Sequence, residues 1–206
     1  MIIAVDGPAA SGKGTISKAL ARHYGLPHLD TGLLYRAVAA TIARLELDPS
    51  IEADGVAACG FEDLLLDDPI LRTDEIGQMA SIVSAHPLVR AALMQRQKRF
   101  AQQPGGAVLD GRDIGTVIAP DADAKLFVKA TPQIRARRRH SELKAKGSTL
   151  SLDKVLADIR KRDERDSSRS SAPLVMAPDA VLIDTSFLSI EASVERAIAA
   201  VEANRR

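Results

Sequence analysis

The sequence predicts an α/β fold, a parallel five-stranded sheet flanked by helices, and three observations carry that prediction. The chain opens with an apolar, β-branched run, a glycine-rich loop and an amphipathic helix. Short apolar runs then alternate with helix-length periodic segments to the end, the pattern of a parallel sheet with crossover helices. At 206 residues and 46% hydrophobic content, the chain is long enough for one sizeable core.

The predicted strands are Ile2–Asp6, Pro27–Leu29, Ala107–Leu109, Ala124–Val128 and Ala180–Ile183. The predicted helices are Lys13–His23, Gly32–Leu45, Glu75–Ser84, Leu88–Gln102, Pro132–Lys146, Ser151–Ser167 and Ile190–Asn204. The first helix places Ile16, Ala19 and Leu20 at helical spacing and stops at Gly25. There are no internal repeats and no low-complexity linker.

Gly7, Gly12 and Lys13 fit the pattern G-x-x-x-x-G-K, between the first strand and the first helix. In that setting successive backbone N–H groups wrap a phosphate, and the helix N-terminus adds partial positive charge. The candidate phosphate-binding stretch is Gly7, Pro8, Ala9, Ala10, Ser11, Gly12, Lys13, Gly14 and Thr15. Lys13 reaches the outer phosphates of a nucleoside triphosphate such as ATP. Gly14 stands where the pattern asks for a hydroxyl, so Thr15 is the candidate Mg²⁺ contact, directly or through water.

Composition narrows the classes. Net charge is +1, with no overall bias toward nucleic acid or membrane. Aromatic residues are 3% and tryptophan is absent, which argues against a stacking platform for single strands. A single cysteine, Cys59, excludes an internal disulfide framework and is read as a buried small hydrophobe. His23, His28, His86 and His140 show no metal-ligand spacing and are read as structural or solvated. No run approaches 18 apolar residues, and Met1 leads into a strand without a leader-like pattern, so a cytoplasmic chain without membrane contact is expected.

Two segments stand apart from the core pattern. Glu46–Asp74 is rich in acids and Asp-Pro steps and reads as a small insertion. Arg135–Arg169 holds twelve basic and six acidic residues, a local +6 in a chain of +1. Beside a phosphate loop, that concentration suggests a lid over phosphates, against the alternative of a solvated helix face.

In a parallel α/β sheet the informative residues follow the strands. After the second strand, "DTGLLYR" offers Asp30 or Thr31 as a helix cap and Arg36 as a phosphate ligand. After the third, "DGRDIG" offers Arg112 as a phosphate clamp, with Asp110 or Asp113 for Mg²⁺ or substrate hydrogen bonds. In "KRDERDSSR", Arg162, Arg165, Asp166 and Arg169 share one helical face, which suits a substrate with hydroxyls and phosphate.

Together, "DGPAASGKGT", "LDTGLLYRAVA", "LRTDEIGQMAS", "HPLVRAALMQRQ", "DGRDIGTVIAPDADAKLFV" and "RDERDSSRSSAPL" resemble the bacterial cytidylate kinases, in order, from Ile3 to about Glu202. The resemblance implies a P-loop nucleoside monophosphate kinase architecture and transfer of the γ-phosphoryl group of ATP to CMP or dCMP. It implies one kinase domain over residues 1–206, with a subdomain binding the monophosphate over about 31–84 and a basic lid over about 135–165. It assigns the CMP phosphate to Arg36, Arg112 and Arg169, cytosine to Ser81, Arg90 and Asp113, and the sugar to Arg162 and Asp166. Lys13, Arg112, Arg162 and Arg169 become the catalytic set, and Thr31 a further substrate contact that stands where many relatives have Ser. The family's insertion before "RT-x-E" is longer, and Glu46–Leu71 is too short to hold all of it. A monomer without nucleic-acid partners is expected. An adenylate- or shikimate-type kinase is the rival reading, and an ATP-binding regulator without transfer activity is a third.

Overall fold

A computed structural model describes residues 1–204. The elements run β1 (Ile2–Asp6), α1 (Lys13–Tyr24), β2 (His28–Asp30), α2 (Thr31–Arg44), α3 (Glu52–Ala57), α4 (Asp74–Val83), α5 (Pro87–Ala101), β3 (Ala107–Gly111), β4 (Ala124–Lys129), α6 (Pro132–Ala145), α7 (Leu152–Ser168), β5 (Val181–Asp184) and α8 (Ile190–Asn204). The sheet order is β2-β3-β1-β4-β5. β1 lies parallel between β3 and β4, with Ala4 opposite Leu109 on one side and Lys125 on the other. β5 pairs parallel with β4. The predicted five-stranded parallel sheet flanked by helices is therefore the observed one. The chain winds to one side of β1 for β2 and β3 and to the other for β4 and β5. The topological switch thus falls at β1, and the glycine-rich loop leaves its carboxyl end.

The chain divides into two compact units, one made of Met1–Leu29 with the chain from Ala101 onward, the other of Asp30–Phe100. In the first unit, Ile3 and Val5 of β1 and Leu126 and Val128 of β4 pack with Ile16 and Leu20 of α1 and Ala197 and Val201 of α8. A satellite core joins α6 and α7 through Ala136, Leu143, Val155 and Ile159. In the second unit, α2 buries Leu34, Val38 and Ile42 and packs against α4 and α3. Among the described residues no helix is long and apolar enough to cross a membrane.

Three local features differ from the sequence reading. β2 is shifted by one residue, because Asp30 both ends the strand and caps α2 by accepting from the Gly32 N–H at 2.9 Å. The 46–74 insertion contains the six-residue α3 and two single 3₁₀ turns at Asp63–Asp67 and Pro69–Arg72. Residues Ile114–Ile118 form one wide π-type turn after β3.

Candidate active site

The first unit carries the phosphate loop. Gly7 has φ +151°, and a Cβ there would lie 2.0 Å from the Val128 carbonyl oxygen. Gly12 caps α1 at φ +92°, a left-handed conformation that a side chain disfavours. Gly14 has open space where a Cβ would project, so no steric demand of the fold itself accounts for that glycine. Ser11 is fully buried, and its Oγ has no hydrogen-bond partner among the described residues. Thr15 is exposed at the start of α1.

The carbonyls behind the loop are pinned. Thr185 Oγ1, just after β5, donates to the Ser11 carbonyl at 2.8 Å. Arg138 donates to Thr185 Oγ1 at 3.0 Å, to the Thr185 carbonyl at 2.7 Å and to the Ser11 carbonyl at 3.4 Å. Arg135, 3% exposed, donates to the carbonyls of Ala130 at 2.9 Å and Ala9 at 3.2 Å and grips Asp163 of α7 with both terminal nitrogens. A trans peptide is planar, so fixing a carbonyl fixes the next N–H on the opposite side. The Ala9 and Ser11 carbonyls thereby aim the amides of Ala10 and Gly12. These two arginines of the basic segment thus hold protein backbone. Further along that segment Lys154 pairs with Asp158 at 3.0 Å.

At the strand ends, acids and bases interlock. Asp6 is buried and accepts from the amides of Ile114 and Gly115, each at 2.8 Å. Burial pushes its pKa from an ordinary 3.8 up to about 6, with Asp113 adding to the rise and the two amides and Arg112 opposing it. Lys13 Nζ lies 3.9 Å from Asp110 Oδ1, and His28 Nε2 lies 2.7 Å from Asp110 Oδ2. Arg112 Nε donates to Asp166 Oδ2 at 2.7 Å. Arg169 lies 3.8 Å from Asp113 and donates to the Ala172 carbonyl. Burial would raise the Asp166 pKa, but Arg112, Arg162 and Arg169 outweigh it and hold the carboxyl below its ordinary range. The first unit thus brings together Gly7–Thr15, Arg112, Asp113, Arg162, Asp166 and Arg169.

The second unit holds Thr31, Arg36, Ser81 and Arg90. Thr31 is buried as the first residue of α2, and Asp30 is the cap. Arg36 donates to the carbonyls of Leu71 at 2.6 Å and Thr73 at 3.1 Å, and its guanidinium fills the space where a Cβ on Gly77 would sit. Ser81 is buried on α4. Arg90 donates to the Ser84 carbonyl at 3.2 Å and lies over the Tyr35 ring at 5.6 Å.

A family profile described as cytidylate kinase matches residues 3–203. The chain belongs to the cytidylate kinase family. It is 60% identical to the cytidylate kinase of Xanthobacter autotrophicus, over all of this chain and 99% of that one. It is 61% identical to the cytidylate kinase of Azorhizobium caulinodans, over the full length of both. Among solved structures, a gluconokinase from Sinorhizobium meliloti aligns with a TM-score of 0.53 at 16% identity, over 98% of this chain and 91% of that one. An uncharacterized protein from Eubacterium ventriosum aligns with a TM-score of 0.56 at 15% identity, over 98% of each chain. These two likenesses concern the fold. As a member of a kinase family, the chain uses ATP as co-substrate with a small-molecule nucleotide.

Within this kinase site several contributors escaped the sequence reading. Asp6 opens the quoted "DGPAASGKGT" and Arg135 and Arg138 lie in the basic segment, but their partners, like those of Thr185, are revealed only by the fold. His28, read as structural or solvated, contacts Asp110. Cys59 is half-buried, not buried, and its thiol donates to the Gly55 carbonyl at 3.2 Å, with burial pushing its pKa up. For a divalent cation, no group of three or more His, Cys, Asp or Glu side chains forms a metal cage among the described residues. One exposed hydroxyl, Thr15 at the end of the glycine-rich loop, fits Mg²⁺, which keeps most of its ligands as water and phosphate oxygens.

Proposed function

We propose that this chain transfers the γ-phosphoryl group of ATP to CMP or dCMP, giving ADP and CDP or dCDP. One observation carries the reading beyond family membership: Arg112, Arg162 and Arg169 converge on the buried carboxylate of Asp166, in the same unit as the phosphate loop. Two acids, Asp166 and Asp113, keep the three guanidinium groups ordered while leaving net positive charge for an acceptor phosphate.

In this reading the loop amides and Lys13 hold the β- and γ-phosphates of ATP. Arg36, Arg112 and Arg169 hold the CMP phosphate, Ser81, Arg90 and Asp113 read cytosine, Arg162 and Asp166 hold the sugar, and Thr31 adds a substrate contact. An oxygen of the acceptor phosphate attacks the γ-phosphorus in line, and the bond to the β–γ bridging oxygen breaks as ADP leaves. Lys13, Arg112, Arg162 and Arg169 stabilise charge on the transferred group, and no protein nucleophile is required. Thr15 would hold Mg²⁺ from the protein side, directly or through water, and the ion would supply charge neutralisation on the phosphates. The domain plan in this reading is one kinase domain over 1–206, residues 205 and 206 lying outside the described ones. About 31–84 serves CMP and about 135–165 acts as the lid that excludes water. A cytoplasmic monomer belongs to the same reading, and the near-neutral net charge of +1 gives no overall bias toward a nucleic-acid or membrane partner.

A coupled assay of ADP release with CMP, dCMP, UMP, AMP and shikimate tests the reading. Turnover with CMP or dCMP well above the other acceptors is expected. Preference for AMP or shikimate would overturn it, as would ATP binding with no phosphorylated product.

A further inference from the structure

Sequence reasoning leaves His28 without a role, yet its side chain reaches into the active site. β2 lies beside β3, and the Val108 N–H donates to the Pro27 carbonyl at 2.9 Å, which sets the local register. His28 therefore stands next to Asp110 on the neighbouring strand, with Nε2 2.7 Å from Oδ2. A carboxylate oxygen accepts, so the imidazole proton belongs on Nε2. The other carboxylate oxygen, Oδ1, is the one 3.9 Å from Lys13 Nζ. Asp110 is 1% exposed and Lys13 is largely covered, so this chain of three groups runs through an interior with little water to screen it.

The far side of the ring is not sealed. His28 lines an open cleft of about 550 Å³ together with Lys18, Ala21, Arg22, Gly25 and Leu26. On the other side, the bond to Asp110 holds the ring's direction. The same bond, from the other end, stops the Asp110 carboxylate from rotating about its last torsion. A terminal carboxylate torsion is broad and soft, and one hydrogen bond fixes which oxygen faces inward.

We propose that His28 is a positioning residue for ATP: it locks the rotamer of Asp110 so that Oδ1 stays turned toward Lys13 and keeps the ammonium extended along the phosphate loop before nucleotide arrives. His28 does not touch substrate in this arrangement and acts only through Asp110. Preorganisation of this kind lowers the cost of ordering Lys13 when ATP binds. The inference rests on ATP occupying the phosphate loop, as proposed above, and is independent of which acceptor is used.

The test is ATP binding by calorimetry in EDTA without acceptor, for wild type, His28→Leu, His28→Gln, Asp110→Asn and the double variant His28→Leu/Asp110→Asn. Leu removes the donor while keeping an apolar wall for the cleft, and Gln keeps an N–H at similar reach. His28→Leu is expected to weaken ATP about 5–20-fold, with His28→Gln within about 3-fold of wild type. In the Asp110→Asn background the additional effect of His28→Leu is expected to fall below 2-fold, because the group it acts through is already altered. Wild-type affinity in His28→Leu would overturn the proposal. So would losses from His28→Leu and Asp110→Asn that simply multiply in the double variant. A wild type that binds ATP but phosphorylates no CMP overturns the acceptor assignment alone and leaves the His28 comparison fully readable.

Discussion

Arg112 donates from Nε to Oδ2 of Asp166 at 2.7 Å, joining the end of β3 to the last turn of α7 across 54 residues of chain. The pair is largely desolvated, so its worth lies in geometry more than in net attraction. Removing one partner of such a pair is far costlier than the pair's own contribution.

Asp166→Asn is therefore expected to lower stability by about 1–3 kcal/mol, since a buried guanidinium loses its counter-charge but keeps an amide oxygen. The KM for CMP is expected to rise by at least about 10-fold, because Arg112 loses its anchor. Urea denaturation and steady-state kinetics on the same preparation check both. An unchanged KM would show that Arg112 is held by other contacts.

Asp6 makes a pH prediction of the opposite sign to most carboxylates. An acid that keeps its proton better when folded favours folding at low pH, and that contribution is lost as pH rises through its folded pKa of about 6. Between pH 4.5 and 7 the expected loss is about 2 kcal/mol relative to Asp6→Asn, which does not titrate. The comparison uses the change with pH, because the asparagine also alters the bonds to the Ile114 and Gly115 amides. Parallel stability curves for the two proteins would contradict it.

Thr185→Val keeps shape but removes the hydroxyl that donates to the Ser11 carbonyl at 2.8 Å. The Gly12 amide then loses part of its aim. ATP affinity is expected to fall about 10-fold, the equivalent of one hydrogen bond of roughly 1.4 kcal/mol. Calorimetric titration with ATP measures it, with CMP affinity as the control expected to change by less than about 2-fold.

Gly77→Ala separates packing from function in the second unit. A Cβ there lies 2.8 Å from Arg36 Nη2 and 3.1 Å from Nη1, so the guanidinium must move. Within α4 the alanine favours the helix by up to about 1 kcal/mol, which offsets that strain. Near-normal thermal stability with a KM for CMP raised about 5–50-fold is the expected pair of results. Normal KM would argue that Arg36 has no part in holding the acceptor.

Much of the fold was legible because its signals are local. The run Ile2–Asp6, the glycines and the helix from Lys13 declare themselves within a short stretch, and the alternation of elements does the rest. α3 was not legible: six residues with Gly55 inside them give no periodicity to detect. The π-type turn at Ile114–Ile118 has the β-branched composition of a strand, and only its position after β3 forbids that pairing. The positions of the charged motif residues could be read as phosphate-seeking, yet two arginines from the same basic run turned their forks on carbonyls. Arg135 and Arg137 look alike in sequence, but one is buried beside Ala9 and the other is exposed. His28 lies 82 residues from Asp110, so no spacing rule could have joined them.

The remote props behind the phosphate loop have a practical consequence for protein engineering. Ala9 and Ser11 are held by residues 126, 127 and 174 positions further along the chain. Transplanting Gly7–Thr15 onto a foreign strand and helix would move the letters of the motif without the braces that shape it. Such a graft should retain the glycines' freedom and lose their discipline, binding triphosphate weakly until equivalents of Arg135, Arg138 and Thr185 travel with it.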